Sequence, residues 1–270
     1  MMPRFYESDL AQWSAGSWTA PLNRCVTGFC NDTRALKEGD LFLAFKTASR
    51  DGHDFLSDAK DAGASAALVE VVQEDVDLPQ LVVPNVLRAL QRIASEYRAQ
   101  FEGTVIGITG SCGKTSTKDM LAGLLGEDIT LKTEKNFNNE IGVALTLLQL
   151  DSSIHRYGVI EAGISEPGEM QHLSSMICAD IVIVTNIGAS HLEGLKNLDG
   201  VAAEKSLLIS KAKQGARVYL NEDTYRYSPM KDAIASIGGQ LSNLSCSMQD
   251  TTTTTNYKRS YIAKAETTEK

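Results

Sequence analysis

A chain of 270 residues is long enough for two ordinary domains, and 43% hydrophobic against 22% charged residues marks a globular protein rather than a disordered one. Its formal charge of −8 argues against a broad basic face for nucleic acid or anionic lipid, so any phosphate ligand must be held locally. The five cysteines (Cys25, Cys30, Cys112, Cys178, Cys246) form no CxxC pair and have no closely placed histidines, which fits neither a disulfide framework nor a zinc site.

The opening MMPRFYESDLAQW carries no signal-peptide run, and no later stretch is long enough to span a bilayer; a reduced, cytoplasmic protein is expected. Residues 1–100 start irregularly and then give two apolar runs, GDLFLAF (Gly39 to Phe45) and SAALVEVV (Ser65 to Val72). DGHDFLSDAKDAGA, between them, has helical spacing and ends on glycine, which predicts a small β-α-β arrangement. After LPQLVVP, the stretch NVLRALQRIASEYRAQF puts Leu87, Leu90, Ile93 and Tyr97 on one face of an amphipathic helix, with Asn85 placed to cap it. From Gly103 the pattern alternates. TVIGITG, YGVIEAG, ADIVIVTNIG and ARVYLN read as strands, and KTSTKDMLAGLL, PGEMQHLSSMI and DGVAAEKSLLISKA as helices. That alternation predicts an α/β fold with a parallel sheet covered on both faces, whose ligands bind beyond the carboxyl ends of the strands. The polar run DTTTTTN (Asp250 to Asn256) predicts a loop, and YKRSYIAKAETTEK one more strand.

The stretch GITGSCGKTSTKDM (Gly107 to Met120) is close to a Walker A loop but misspaced: the position six before Lys114 is Ile108, and the nearby glycines are Gly107 and Gly110. Its context suits phosphate all the same, because a buried strand ends at Ile108 and a helix opens near Lys114. Glycines let backbone N–H groups close on phosphate oxygens, the helix N-terminus adds its positive end, Lys114 brings a mobile charge and Thr115 a hydroxyl for magnesium. A plain glycine turn with a surface lysine is the weaker reading, since Gly-Lys-Thr falls where the geometry needs it. Glu161 ends a strand at the same edge, and one carboxylate there suits a magnesium ion that keeps waters and phosphates; alone it reads equally well as a solvated strand end. His191 lies in a loop at that edge, where a lone histidine more often caps or packs than ligates. Lys205, on the next helix, is in isolation a surface lysine. Asn136, Asn138, Asn139 and Glu140 crowd before an apolar helix, too densely for capping alone.

Together these residues resemble the Mur ligase family. The family's nucleotide loop, TG-x-x-GK-T, is matched by Thr109, Gly110, Gly113, Lys114 and Thr115, which accounts for the displaced glycine. Further matches run through NFNNEIGVALTLL, EAGISEPGEM, TNIGASHLEG and VAAEKSLLI, and earlier through DTR (Asp32 to Arg34), GDLFLAF and DGHDF (Asp51 to Phe55). The NFNNEIG string points to the members that join D-alanyl-D-alanine to UDP-N-acetylmuramoyl-tripeptide.

The resemblance implies a small α/β N-terminal UDP-binding domain at residues 1–100, then a P-loop-type mostly parallel sheet with helices on both faces at residues 101–270. It implies ATP-dependent amide formation through an acyl phosphate, in a cytoplasmic, monomeric enzyme of peptidoglycan synthesis. ATP would lie on Thr109, Gly110, Ser111, Cys112, Gly113, Lys114, Thr115 and Ser116. Magnesium would lie on Thr115 and Glu161, with His191 and a carbamylated Lys205 at a second metal; Lys114, His191 and Lys205 are the expected catalytic groups. Thr33 and Arg34 would contact the UDP end, and Asn138 and Asn139 the muramoyl-peptide end. Cys112 stands where asparagine is frequent, with little effect expected because the loop works through its backbone. The family's C-terminal domain finds no match in this sequence, so a truncated form of low activity is expected. A non-catalytic nucleotide or UDP-sugar binding fragment, another ligase of the same fold and a P-loop kinase remain open alternatives.

Overall fold

The structure is a computed structural model that describes residues 3–190, 192–247 and 262–267. In chain order the helices are α1 (Glu7–Ser14), α2 (Leu56–Asp61), α3 (Val86–Ala99), α4 (Lys114–Leu125), α5 (Glu140–Leu147), α6 (Glu169–Ile177), α7 (Leu192–Leu195), α8 (Leu198–Ser210), α9 (Glu222–Tyr225) and α10 (Ser228–Ser236). The strands are β1 (Ser17–Trp18), β2 (Gly28–Cys30), β3 (Asp40–Leu43), β4 (Ala66–Val69), β5 (Gln80–Val82), β6 (Thr104–Thr109), β7 (Thr130–Lys132), β8 (Tyr157–Glu161), β9 (Ile181–Val184), β10 (Arg217–Leu220), β11 (Gln240–Ser247) and β12 (Ile262–Thr267). Contacts divide the chain into two compact units, residues 1–103 with 125–158 and residues 104–124 with 159–270. No described helix is long and apolar enough to cross a membrane.

The first unit holds a five-stranded sheet in the order β1-β5-β4-β3-β2, parallel except for β1. β3 and β4 are buried at every position, as strands of a sheet covered on both faces must be, and this is why DLFL and AALV read as continuous apolar runs. A 3-10 turn (Gly52–Phe55) and α2 form the crossover between them, the expected β-α-β arrangement.

His53 secures that crossover. Asp51 Oδ1 accepts from the His53 backbone N–H at 3.0 Å and faces its Nδ1 at 2.6 Å, while His53 Nε2 accepts from the N–H groups of Glu70 (3.0 Å) and Val71 (3.3 Å). The ring therefore carries its proton on Nδ1 and satisfies two backbone donors just past β4. His53→Leu keeps the volume but strands those donors, so we expect a loss of about 3 kcal/mol in stability, measured by urea unfolding.

Helix α3 is capped as the sequence predicts, with Asn85 Oδ1 accepting from the Arg88 N–H at 2.9 Å. Its buried stripe is Val86, Ala89, Leu90, Ile93 and Ala94. The expected face is turned by about one residue, leaving Leu87 and Tyr97 half-buried at its margins, because the small Ala89 and Ala94 pack where the larger residues alone set the prediction. Tyr97 then uses its position to donate its hydroxyl to Leu150 O at 2.6 Å.

Within the second unit the strand order is β12-β11-β10-β9-β6-β8. β6, β9, β10 and β11 run parallel and β12 antiparallel, giving the mostly parallel α/β sheet expected from the alternation. Thr109 pairs with Val184 in register, so the chain leaves β6 and β9 side by side at one edge. β11 and the short helices α9 and α10 have no counterpart in the sequence reading, since QLSNLSCS is largely polar and lacks a continuous apolar run. β12 falls inside the terminal segment read as a strand, and DTTTTTN lies outside the described residues.

Candidate active site

Strand β6 ends at Thr109, which is fully buried, and the loop turns at once through Gly110 (φ +149°) and again at Gly113 (φ +80°) before α4 begins at Lys114. A Cβ on Gly110 would run into Thr185 Oγ1, so the close approach of the two strand ends requires glycine there. Lys114 Nζ donates to Gly110 O at 2.8 Å, folding the lysine back over its own loop. The N–H groups of Gly113, Lys114, Thr115 and Ser116 donate to none of the described residues, as at any uncapped helix start. Four N–H groups without acceptors, a helix N-terminus and a lysine are the parts from which an anion site is built. Cys112 is exposed and takes part through its backbone, its N–H donating to Asn186 Oδ1 and its carbonyl accepting from Thr185 Oγ1 at 2.6 Å.

Beyond the loop, Thr115 Oγ1 donates to Glu161 Oε2 at 3.0 Å, and the Glu161 carboxylate is only 2% exposed. Two hard oxygens at one strand edge, next to an anion site, fit a magnesium ion that takes its other ligands from phosphate and water. Among the described residues no three His, Cys, Asp or Glu side chains group as a metal cage. Lys118, one turn after Lys114, is buried on α4 with its Nζ 3.9 Å from Glu161 Oε2 and 3.7 Å from Asp119 Oδ1. The sequence reading passed over it. Its signal was a second lysine at i+4, which places both cations on one helix face. Lys118→Met removes a buried positive charge beside Glu161; we expect about 3 kcal/mol lost in stability, read by thermal unfolding.

Lys205 on α8 is also 2% exposed. Burial, helped by the charge of Lys114, brings its ammonium down to about 8, against a smaller opposing effect of Glu204. Glu204 Oε1 accepts from the N–H groups of Gly168 (2.9 Å) and Met170 (3.0 Å), tying α8 to the start of α6. The structure thus brings Lys114, Thr115, Glu161 and Lys205 to one edge of one unit. His191 lies outside the described residues.

The remaining expected residues lie in the first unit. Thr33 lines a cavity of about 160 Å³ together with Asn31, Phe42, Phe45, Thr47 and Arg50, whose guanidinium sits 4.2 Å over the Phe55 ring. Arg34 does not line it; it is exposed and turned to Asp32 through a bond of 2.6 Å, which pulls the Asp32 carboxyl down to about 2. Arg50 is the cation at that cavity, and only its place just ahead of DGHDF marked it in the sequence. Asn139 caps α5, its Oδ1 accepting from the Gly142 N–H at 2.8 Å. Gly142 packs so closely on Phe137 that a Cβ would lie 2.6 Å from the Phe137 backbone. Asn139→Ala should therefore cost about 1 kcal/mol of stability even without substrate, measurable by urea unfolding. A larger cavity, about 330 Å³, is lined by Arg4, Tyr97, Phe101 and Asp151 and includes none of the expected residues.

A glycine loop that opens a helix on a mostly parallel sheet, with a buried carboxylate and a buried lysine at the same edge, has the form of an α/β nucleotide-binding fold. Residues 108–268 match the Mur ligase middle domain and residues 26–98 the Mur ligase family catalytic domain, and the chain belongs to the Mur ligase family. The UDP-N-acetylmuramoyl-tripeptide–D-alanyl-D-alanine ligase of Escherichia coli (strain K12) is 39% identical over 206 residues, covering 76% of this chain and 45% of the relative. That of Bacillus subtilis (strain 168) is 37% identical over 202 residues, covering 73% and 44%. A crystal structure of MurF from Acinetobacter baumannii superposes with a TM-score of 0.83 at 27% identity, over 92% of this chain and 56% of that one. MurF ligase from Thermotoga maritima in complex with ADP gives 0.73 at 29% identity, over 89% and 56%. The chain spans less than half the length of these curated relatives.

Proposed function

We propose that the chain serves the ATP-dependent joining of D-alanyl-D-alanine to UDP-N-acetylmuramoyl-tripeptide, a cytoplasmic step of peptidoglycan synthesis. The observation that carries the reading is the juxtaposition of unengaged loop N–H groups, Lys114, and the Thr115–Glu161 pair at one strand edge. In this reading residues 101–270 hold ATP and residues 1–100 the UDP end of the substrate, the chain acting as a monomer.

The loop from Thr109 to Ser116 surrounds the phosphates, its Gly113 to Ser116 N–H groups taking them, and Lys114 leaves Gly110 O to neutralise their charge. Thr115 and Glu161 hold magnesium, with His191 and a carbamate on Lys205 serving a second ion. When bound, magnesium offsets the repulsion between the γ-phosphate and an attacking carboxylate. The tripeptide carboxylate attacks the γ-phosphorus and ADP leaves; the amine of D-alanyl-D-alanine then attacks the acyl phosphate, phosphate leaves, and the new amide sheds a proton. The protein's contribution is positioning and electrostatics, since the phosphoryl group supplies the leaving group. Thr33, and Arg34 once released from Asp32, contact the UDP end, and Asn138 and Asn139 the muramoyl peptide.

The test is calorimetry of this chain with ATP and with UDP-N-acetylmuramoyl-tripeptide, beside a phosphate-release assay with D-alanyl-D-alanine. Binding of both ligands, with ATP affinity raised by magnesium, is expected. Thr115→Val should remove most of the magnesium dependence while leaving magnesium-free binding within about threefold, because it deletes one metal oxygen and no loop N–H. A chain that binds neither ligand, or that transfers phosphate to a stable product, overturns the reading.

A further inference from the structure

Asn186 stands opposite the first half of the nucleotide loop. Because Thr109 and Val184 pair in register, residues 110–112 and 185–190 leave the sheet together, and a dense set of bonds joins them. Asn186 Oδ1 accepts from both the Ser111 N–H (3.1 Å) and the Cys112 N–H (3.0 Å), and Ser111 N–H also meets Asn186 O at 3.1 Å. Ser111 Oγ donates to Gly188 O at 3.0 Å, the Gly188 N–H donates to Ser111 Oγ at 2.9 Å, and Ser190 Oγ donates to Ser111 Oγ at 2.9 Å. Thr185 Oγ1 closes the set on Cys112 O. In the second half of the loop, Gly113 to Ser116, the backbone N–H groups donate to none of the described residues, and the ties are the side-chain bonds of Lys114 to Gly110 O and Thr115 to Glu161.

An oxygen accepting from two successive backbone N–H groups is what an oxyanion does in a phosphate loop, but here the oxygen belongs to a neutral carboxamide. We propose that Asn186 is a positioning residue that presets the nucleotide loop, engaging its first two N–H donors so that only Gly113 to Ser116 take phosphate. Neutrality matters, since a carboxylate of the same shape would keep the loop bonds and set a negative charge beside the incoming anion. Asn186 thereby also links the loop to the segment that runs on toward α7. The assignment rests on the nucleotide reading above.

The test combines calorimetric titration of the whole chain with ADP and ATP and residue-resolved amide hydrogen exchange. In the wild type, Ser111 and Cys112 amides should be protected without nucleotide and unchanged by it, while ADP newly protects Gly113 to Ser116. Asn186→Ala should lose protection at Ser111 and Cys112 and bind ADP about tenfold more weakly, the worth of two ordinary hydrogen bonds. Asn186→Asp should keep that protection yet bind ATP more weakly than the wild type. Wild-type nucleotide affinity in Asn186→Ala, or new protection of Ser111 and Cys112 by nucleotide, overturns the role of Asn186 alone. A wild-type chain that binds neither nucleotide overturns the nucleotide reading with it. A lowered melting temperature in Asn186→Ala with unchanged nucleotide affinity marks a merely structural residue and overturns the positioning role.

Discussion

Gly110→Ala should lower ATP affinity by at least about 100-fold, whereas Gly113→Ala should lower it by about tenfold. Both residues have backbone angles that L side chains adopt reluctantly, φ +149° and φ +80°. For Gly113, which has open space around it, the cost is that of a left-handed residue alone, about 1–2 kcal/mol. Gly110 adds a collision with Thr185 Oγ1 and a tight approach of 3.1 Å to the Asn186 N–H, neither of which is the loose end of a flexible chain. Relief requires β6 and β9 to part at their carboxyl ends, which removes the Thr185 bond to Cys112 and the Asn186 bonds to Ser111 and Cys112 together. At about 1.4 kcal/mol per tenfold change, losing two of those bonds and adopting the strained angle exceed 100-fold. Calorimetric titration with ATP measures it, and circular dichroism shows whether the sheet survives. Equal losses in the two variants would mean that backbone angle alone sets the loop.

This comparison also shows what a sequence can and cannot reveal here. The strand-loop-helix from Thr104 to Leu125 is local, so its apolar run, glycines and Gly-Lys-Thr placed Lys114 and Thr115 correctly, and the strand YGVIEAG placed Glu161 at the same edge. Asn186 was invisible because its bond to Ser111 spans 75 residues and depends on the register of β6 against β9, which hydrophobic patterning does not encode. Lys118 was passed over for a different reason: a lysine on a helix reads as solvent-facing unless a carboxylate elsewhere in the chain is known to meet it. Arg34 shows another limit of local reading. It sits in the matched DTR stretch, yet Asp32 two residues away binds it, and Arg50 faces the cavity instead. Asn139 shows one of the two uses of its type, its carbonyl oxygen accepting from the Gly142 N–H as the cap of α5.

Under the proposed function, Lys205→Ala made in a full-length relative should reduce amide-forming turnover by about 1,000-fold or more, with part of the activity returned by a short carboxylic acid that fills the space of a carbamate. Carbamylation joins a neutral amine to carbon dioxide and releases one proton, so its extent follows the fraction of Lys205 that is unprotonated. An ordinary lysine is about one-thousandth neutral at pH 7.5, whereas one that releases its proton at about 8 is roughly a quarter neutral. Burial and the nearby Lys114 charge thus raise the reactive amine more than 100-fold, and the resulting carboxylate exchanges repulsion toward Lys114 for attraction. The same shift has a stability consequence of fixed sign. The unfolded lysine keeps its proton to about 10.5 while the folded one loses it near 8, so without carbon dioxide the fold gains stability as pH rises between those values. Lys205→Met should flatten that rise. Carbon-13 NMR of the protein in labelled bicarbonate reads the modification directly: a carbamate signal should appear, grow from pH 7 to 9, and vanish in Lys205→Ala and in Lys205→Arg, whose guanidinium stays protonated. A signal that survives Lys205→Ala, or turnover unchanged by it, would assign the buried lysine to electrostatic support of the loop instead of to the metal.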